Sequence, residues 1–263
     1  NDSDGGFTVE DGRVLFEGNG NFTYSGDTTV DLGAQLTTSA LGSGDQLSSN
    51  SAHTINGILR ITSTSNSVIG SLAGSGQVQI VGGASLAAGV DNSSTTFSGT
   101  IIQPGDFIKQ GTGTLTLTGN NTYLGTTTIS GGTLQLGNGG TSGQLGDSDI
   151  INNANLTFNR SDDLTEGNTI SGTGSVTKQG TGALTLTGNN SYSGGTNLNA
   201  GTLVIGDDNA LGTGTLTIED GTTISRDSNR VIPNDVVIEG DFTAASTLLG
   251  ATLQIDGDVD LGA

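Results

Sequence analysis

The stretch KQGTGTLTLTGNNTYLGTTTISGGTLQLG, Lys109–Gly137, returns as KQGTGALTLTGNNSYSGGTNLNAGTLVIG, Lys178–Gly206. The two copies align position for position without a gap, and most aligned positions are identical. The match runs upstream on the same offset, with Ile101 over Ile170, Gly105 over Gly174 and Phe107 over Val176. Such self-similarity marks a repeat architecture. Inside the unit, Leu115 and Leu117 alternate with threonines, and Leu134 and Leu136 alternate with Thr133 and Gln135. Leu184, Leu186, Leu203 and Ile205 hold the same places in the second copy. Period two is the pattern of a strand with one buried face. Gly119-Asn120-Asn121 and Ser130-Gly131-Gly132 read as turns, since glycine and asparagine tolerate positive φ. Tyr123 and Tyr192, the only aromatic in each copy, read as packing anchors whose hydroxyls reach solvent or backbone.

Short strands separated by glycine turns suit a coil that stacks on itself, because one unit cannot bury its apolar face alone. The pattern predicts an all-β fold, a right-handed parallel β-helix running through residues 1–263 as a single domain. The handedness rests on the preference for right-handed crossovers between parallel strands. The strongest repeats cover 101–137 and 170–206, with weaker copies at 12–33 and 72–86. The copy at 12–33 keeps a Gly18-Asn19 turn, Tyr24 and Val30 but loses the Gly-Thr-Leu segment. A Leu-Gly turn recurs as SALGSG at 39–44, GQLGDS at 143–148 and NALGTG at 209–214, and reads as the closure of each unit.

The pattern KxGxGxLxLxGxNxYxGxT, followed by GTL, resembles the autotransporter-associated β-strand repeat, found in passenger domains of bacterial type V secreted proteins. Both copies carry it. The resemblance implies an extracellular β-helical stalk, at the bacterial surface or released from it. It also implies a passenger fragment, with any membrane-anchoring outer-membrane barrel outside these residues.

Composition fits a thin solenoid better than a globule. Hydrophobic residues make up 31% and aromatics 4%, too few for a large core. The net charge of −19, with Lys+Arg 7 against Asp+Glu 26, argues against nucleic acid and anionic membranes as partners. No apolar run approaches the roughly 18 residues of a membrane span. The lack of cysteine is consistent with a chain exported unfolded through an oxidising compartment.

Few residues suggest chemistry. His53 is the only histidine and lies in the polar stretch SSNSAHT, so it reads as a solvated loop residue. No nucleophile–histidine pair has support, and no catalytic residue is assigned. Asp162-Asp163 and Asp207-Asp208 are doublets, but neighbours on a strand point to opposite faces, unlike the paired carboxylates of a glycosidase. Asp256, Asp258 and Asp260 are spaced two apart and make a weak candidate Ca²⁺ site, hard oxygen ligands being the right kind. No cofactor is otherwise expected. Lys109 and Lys178, the only lysines, share one repeat position and read as structural residues balancing acidic neighbours.

Two functions follow. In the first, the chain is a structural and adhesive stalk that presents a binding region, its partners being a host or cell-surface ligand or other copies of itself. In the second, a loop between coils binds or cleaves a glycan, and the polar interval 147–164 is the candidate, since solenoids place function on insertions.

Overall fold

The computed structural model describes residues 5–17, 24–39, 47–62, 66–246, 250 and 252–262. Among them the regular structure is strand only, and every ladder is parallel. The Gly18-Asn19 turn and all of the SALGSG closure except Ser39 lie outside the described residues. The strands fall into two compact units, Asn1–Leu134 with Ser142–Ser148, and Gln135–Thr141 with Asp149–Ala263. Each is a parallel β-solenoid.

In the first unit one ladder stacks Phe7–Val9, Thr28–Val30, Ala52–Ile55 and Ser71–Ala73. A second stacks Arg13–Glu17, Gln35–Ser39, Ile58–Ile61, Gln77–Ile80 and Thr100–Ile102. A third holds Asn66–Ile69, Ser85–Ala88, Asp106–Lys109 and Thr127–Ile129, and Thr95–Phe97 pairs with Thr114–Leu117. In the second unit the longest ladder runs through Asn155–Asn159, Ser175–Gln179, Thr196–Leu198, Leu216–Ile218, Val236–Ile238 and Val259–Asp260. Beside it stand Leu164–Glu166, Ala183–Leu186, Thr202–Ile205, Thr223–Arg226 and Thr243–Ala244.

Register shows that the step is constant along this longest ladder from Asn155–Asn159 to Val236–Ile238, while the ladder beside it departs from that step by one residue either way. Leu156 lies over Val176, Val176 over Thr196, Thr196 over Leu216 and Leu216 over Val236, the same step along the chain each time. Early coils vary more, since Thr28 lies over His53 and His53 over Leu72. Each copy of the long repeat supplies parts of two coils. In the first copy Phe107 pairs with Thr127, and in the second Leu184 pairs with Leu203. The inward column of the central strands is buried, including Leu115, Leu117, Leu134, Leu136, Leu184, Leu186, Leu203 and Ile205. Thr114 and Thr116 face out and stay partly exposed.

The corners explain much of the acidic composition. Where the chain bends, a backbone N–H loses its ladder partner and must find another acceptor. Asp106 Oδ1 accepts the N–H of Thr126, Asp163 that of Ala183, Asp220 that of Asp241 and Asp235 that of Asp258. Asn92 and Asn153 do the same for Thr112 and Thr173. In each of these bonds the acceptor belongs to the earlier coil and the donor to the next. Asp163→Ala is expected to lower stability by about 1 kcal/mol, the net worth of one such bond, while Asp163→Asn keeps the oxygen and changes little. Chemical-denaturation midpoints of the two variants check this, and equal losses would contradict the role.

Candidate functional site

The two lysines occupy the most heavily built positions in the molecule. Lys109 ends the strand Asp106–Lys109, and Lys178 sits in Ser175–Gln179. Both point inward, and their exposures are 0% and 3%. Lys109 Nζ donates to the carbonyls of Gln110 at 2.5 Å, Gly111 at 3.1 Å and Gly131 at 3.2 Å. Lys178 Nζ donates to those of Gln179 at 2.7 Å, Gly180 at 2.8 Å and Ala200 at 3.0 Å. An ammonium has three donors, so each is fully used. Two carbonyls come from the lysine's own corner and the third from the corner one coil on. Gly111 and Gly180 take φ of 67° and 72° to make that bend. Burial pulls the Lys178 pKa down to about 8. It also lowers that of Lys109, against an opposing pull from Asp91. At about 8, Lys178 stays mainly cationic at neutral pH. The expected surface charge balance is therefore wrong: among the described residues neither lysine forms an ion pair, and each ties two corners together from inside.

Tyr123 and Tyr192 are buried anchors, and their hydroxyls meet threonine hydroxyls. Tyr123 Oη lies 2.6 Å from Thr127 Oγ1, and Tyr192 Oη 2.6 Å from Thr196 Oγ1. Tyr24 makes the same bond to Thr28, also 2.6 Å. The Leu-Gly closures pack against this anchor: Leu145 and Leu211 are buried, and a Cβ on Gly146 or Gly212 would collide with the carbonyl of Tyr123 or Tyr192.

The Gly-Asn-Asn turn also works differently from expectation, since its asparagines do not adopt positive φ. Asn121 is buried instead. Its Oδ1 accepts the Ile101 N–H at 2.8 Å, and its Nδ2 donates to the Gln144 carbonyl at 2.7 Å, linking the coils on either side. Asn190 repeats this between Ile170 and Ala210. Gly119 is required because a Cβ there would strike the Gly99 carbonyl.

His53 is a correction. It lies within the strand Ala52–Ile55, between Thr28 and Leu72 in the ladder, and is 1% exposed. Nδ1 is 2.9 Å from the Ser51 carbonyl, while Nε2 has no hydrogen-bond partner among the described residues. Burial lowers its pKa to about 4, opposed by the Ser51 carbonyl, Asp27 and Asp91. Below pH 6.5 the unfolded chain takes up a proton that the folded chain refuses until about pH 4. Stability is thus lost as pH falls through this window. Between about pH 7 and pH 4.5 the loss is expected to be about 2–3 kcal/mol, and His53→Leu should remove this part of the dependence. Denaturation midpoints at the two pH values check it.

The acidic candidates are largely committed to structure. Asp162 pairs with Arg160 at 2.7 Å, and those hydrogen bonds hold its carboxyl below the usual value. Asp163 caps Ala183, Asp208 accepts the Val231 N–H at 3.3 Å, and Asp207 that of Asn209 at 2.8 Å. Asp256 accepts from Gln254 Nε2, and Asp258 donates its N–H to Asp235. Among the described residues no three histidine or carboxylate side chains gather as metal ligands, so Asp256, Asp258 and Asp260 are not brought together. The interval 147–164 is likewise not a protruding loop. It holds the strands Ile150–Asn152 and Asn155–Asn159, with Leu156 and Phe158 in the core.

Residues 107–136 and 176–205, the segments that build both lysine corners, each match the model of the passenger-associated-transport-repeat. The chain carries two passenger-associated transport repeats. Over 93 residues it is 41% identical to the adhesin BmaC autotransporter of Brucella suis biovar 1 (strain 1330). That match covers 34% of this chain and 3% of the adhesin. No solved structure matches the chain. The repeats and the adhesin match indicate an extracellular, cell-surface location. In the repeat's own terms, the Lys-Gln-Gly opening is the cation cage, the Asn-Asn-x-Tyr centre is the coil-linking corner, and the Gly-Thr-Leu close is the next core strand.

Proposed function

We propose that this chain is an adhesive segment of a secreted surface passenger. It spaces a binding surface away from the cell, performs no reaction, and contacts surface ligands and other copies of itself. The observation that carries this reading is the pair of passenger repeats together with the 41% match to an autotransporter adhesin. The corner bonds, caged lysines and buried anchors supply the rigidity a spacer needs. The carboxylates that might have done chemistry are held in corners and ion pairs.

Display of these residues on an outer-membrane barrel in a non-adherent bacterium tests the reading. Displaying cells should settle on cell layers, or with one another, more than cells carrying the barrel alone. Copies bearing −19 repel at low salt. Cell-to-cell association should therefore grow as the Debye length falls from about 30 Å at 0.01 M to about 8 Å at 0.15 M salt. Equal behaviour of displaying and control cells at every salt concentration would sink the proposal.

A further inference from the structure

The ladder from Arg13–Glu17 to Thr100–Ile102 turns Leu36, Leu59, Val78 and Ile101 into the core. Its other face carries Arg13, Gln35, Ile58 and Gln77 in one register column, and Leu15, Thr37, Arg60 and Gln79 in the next. In a chain of net charge −19, the four later strands of this ladder hold no carboxylate, and Glu17 at the end of the first is the one carboxylate on this outward face among the strand residues. The cations tell the same story. Lys109 and Lys178 are caged by carbonyls, Arg160 is paired with Asp162, Arg230 with Asp227, and Arg226 donates to the Ala245 carbonyl. Among the described residues Arg13 and Arg60 form no ion pair, and both stand on this one face.

Arg60 is also held in place. Its Nη1 donates to Gln79 Oε1 at 2.8 Å, and Gln79 Nε2 donates to Gln77 Oε1 at 2.6 Å. This amide relay fixes the guanidinium over the sheet and leaves the rest of its planar fork for a planar anion. Side chains along each column repeat at the strand spacing, about 4.8 Å. An extended chain of pyranose units advances by about that distance per sugar. Amide and hydroxyl groups at that interval match ring hydroxyls, and the two guanidinium groups match carboxylates along the chain.

We infer that this face binds a linear, carboxylate-bearing polysaccharide, a polyuronate, with Arg60 and Arg13 as its anion contacts. The inference rests on the adhesive reading above and names its ligand class and surface.

The whole 263-residue chain, tested against immobilised polygalacturonate and its fully methyl-esterified form, decides the matter. Binding to the acid form is expected at about 0.15 M salt, where repulsion from the net charge of −19 is screened, with the ester at least about tenfold weaker, since charge-assisted bonds are lost. Arg13→Gln with Arg60→Gln should weaken binding by about tenfold or more, and Arg230→Gln, a cation already paired elsewhere, by less than about twofold. Gln79→Leu, which frees the guanidinium without removing it, should give an intermediate loss and serves if Arg60→Gln melts early. Equal binding of acid and ester overturns the inference, as does wild-type affinity in a folded double variant, no binding at all, or dextran sulfate held as tightly by the double variant as polygalacturonate is by the parent chain. If displaying cells adhere and the double variant adheres equally, this inference alone fails. If neither adheres, the adhesive reading fails with it.

Discussion

Leu117→Asp is expected to destabilise the first unit by more than about 4 kcal/mol, while Thr116→Asp, one residue away, costs less than about 1 kcal/mol. Leu117 is fully buried, and its strand partner column includes Phe97, also fully buried. A carboxylate there loses its water and gains no cation, in addition to the roughly 2 kcal/mol of apolar burial forfeited with the leucine. Thr116 faces outward, so an aspartate there keeps its hydration. The same contrast should appear at Leu186 and Thr185 in the second copy. In a stack of coils, loss of one core position is felt first by its neighbours. Amide exchange of residues 95–97 and 114–117, together with the denaturation midpoint, is therefore the measurement. Similar effects at Leu117 and Thr116 would refute the register.

The second large effect concerns the caged cations. Lys178→Met keeps most of the side-chain volume and removes the ammonium, leaving the carbonyls of Gln179, Gly180 and Ala200 facing a thioether. Each buried acceptor left without a donor costs about 1 kcal/mol or more, and release of the ammonium's own desolvation returns part of that. A net loss of about 3 kcal/mol is expected from these opposing terms, and Lys109→Met should behave alike. A surface lysine replaced by methionine would change stability by less than about 0.5 kcal/mol. An effect that small, measured by equilibrium denaturation, would remove the cage from the account.

How far the sequence foretold this structure depended on the range of the interaction involved. Alternation at Leu115 and Leu117, or at Leu203 and Ile205, is local, and it was enough to set strands, faces and the parallel stack. His53 was misread because its burial comes from Thr28, one coil earlier, and Leu72, one coil later. Nothing within SSNSAHT marks a strand. The lysine cages were missed for a similar reason, since the third carbonyl of each comes from the next coil. A signal did exist: Lys-Gln-Gly is followed at the same distance in both copies by the Gly131 and Ala200 corners. Threonine four places after each tyrosine, at Thr28, Thr127 and Thr196, likewise announced the hydroxyl bond. The interval 147–164 misled because its polar residues are corner residues, while Leu156 and Phe158 between them keep the strand period. The sheet face of Arg13 and Arg60 could not be read at all, since its columns join residues from coils far apart in the chain.

The constant register from Leu156 to Val236 has a genetic consequence. A deletion or duplication of one such step of codons keeps the inward residues of this ladder inward and leaves the corners to absorb the one-residue differences of the ladder beside it. Loss of a single codon within a strand sends the rest of that strand's core residues to the wrong face. Length in such a gene is thus a quantity that recombination between coils can adjust in whole steps, and reading-frame-preserving changes of any other size should be found at the corners.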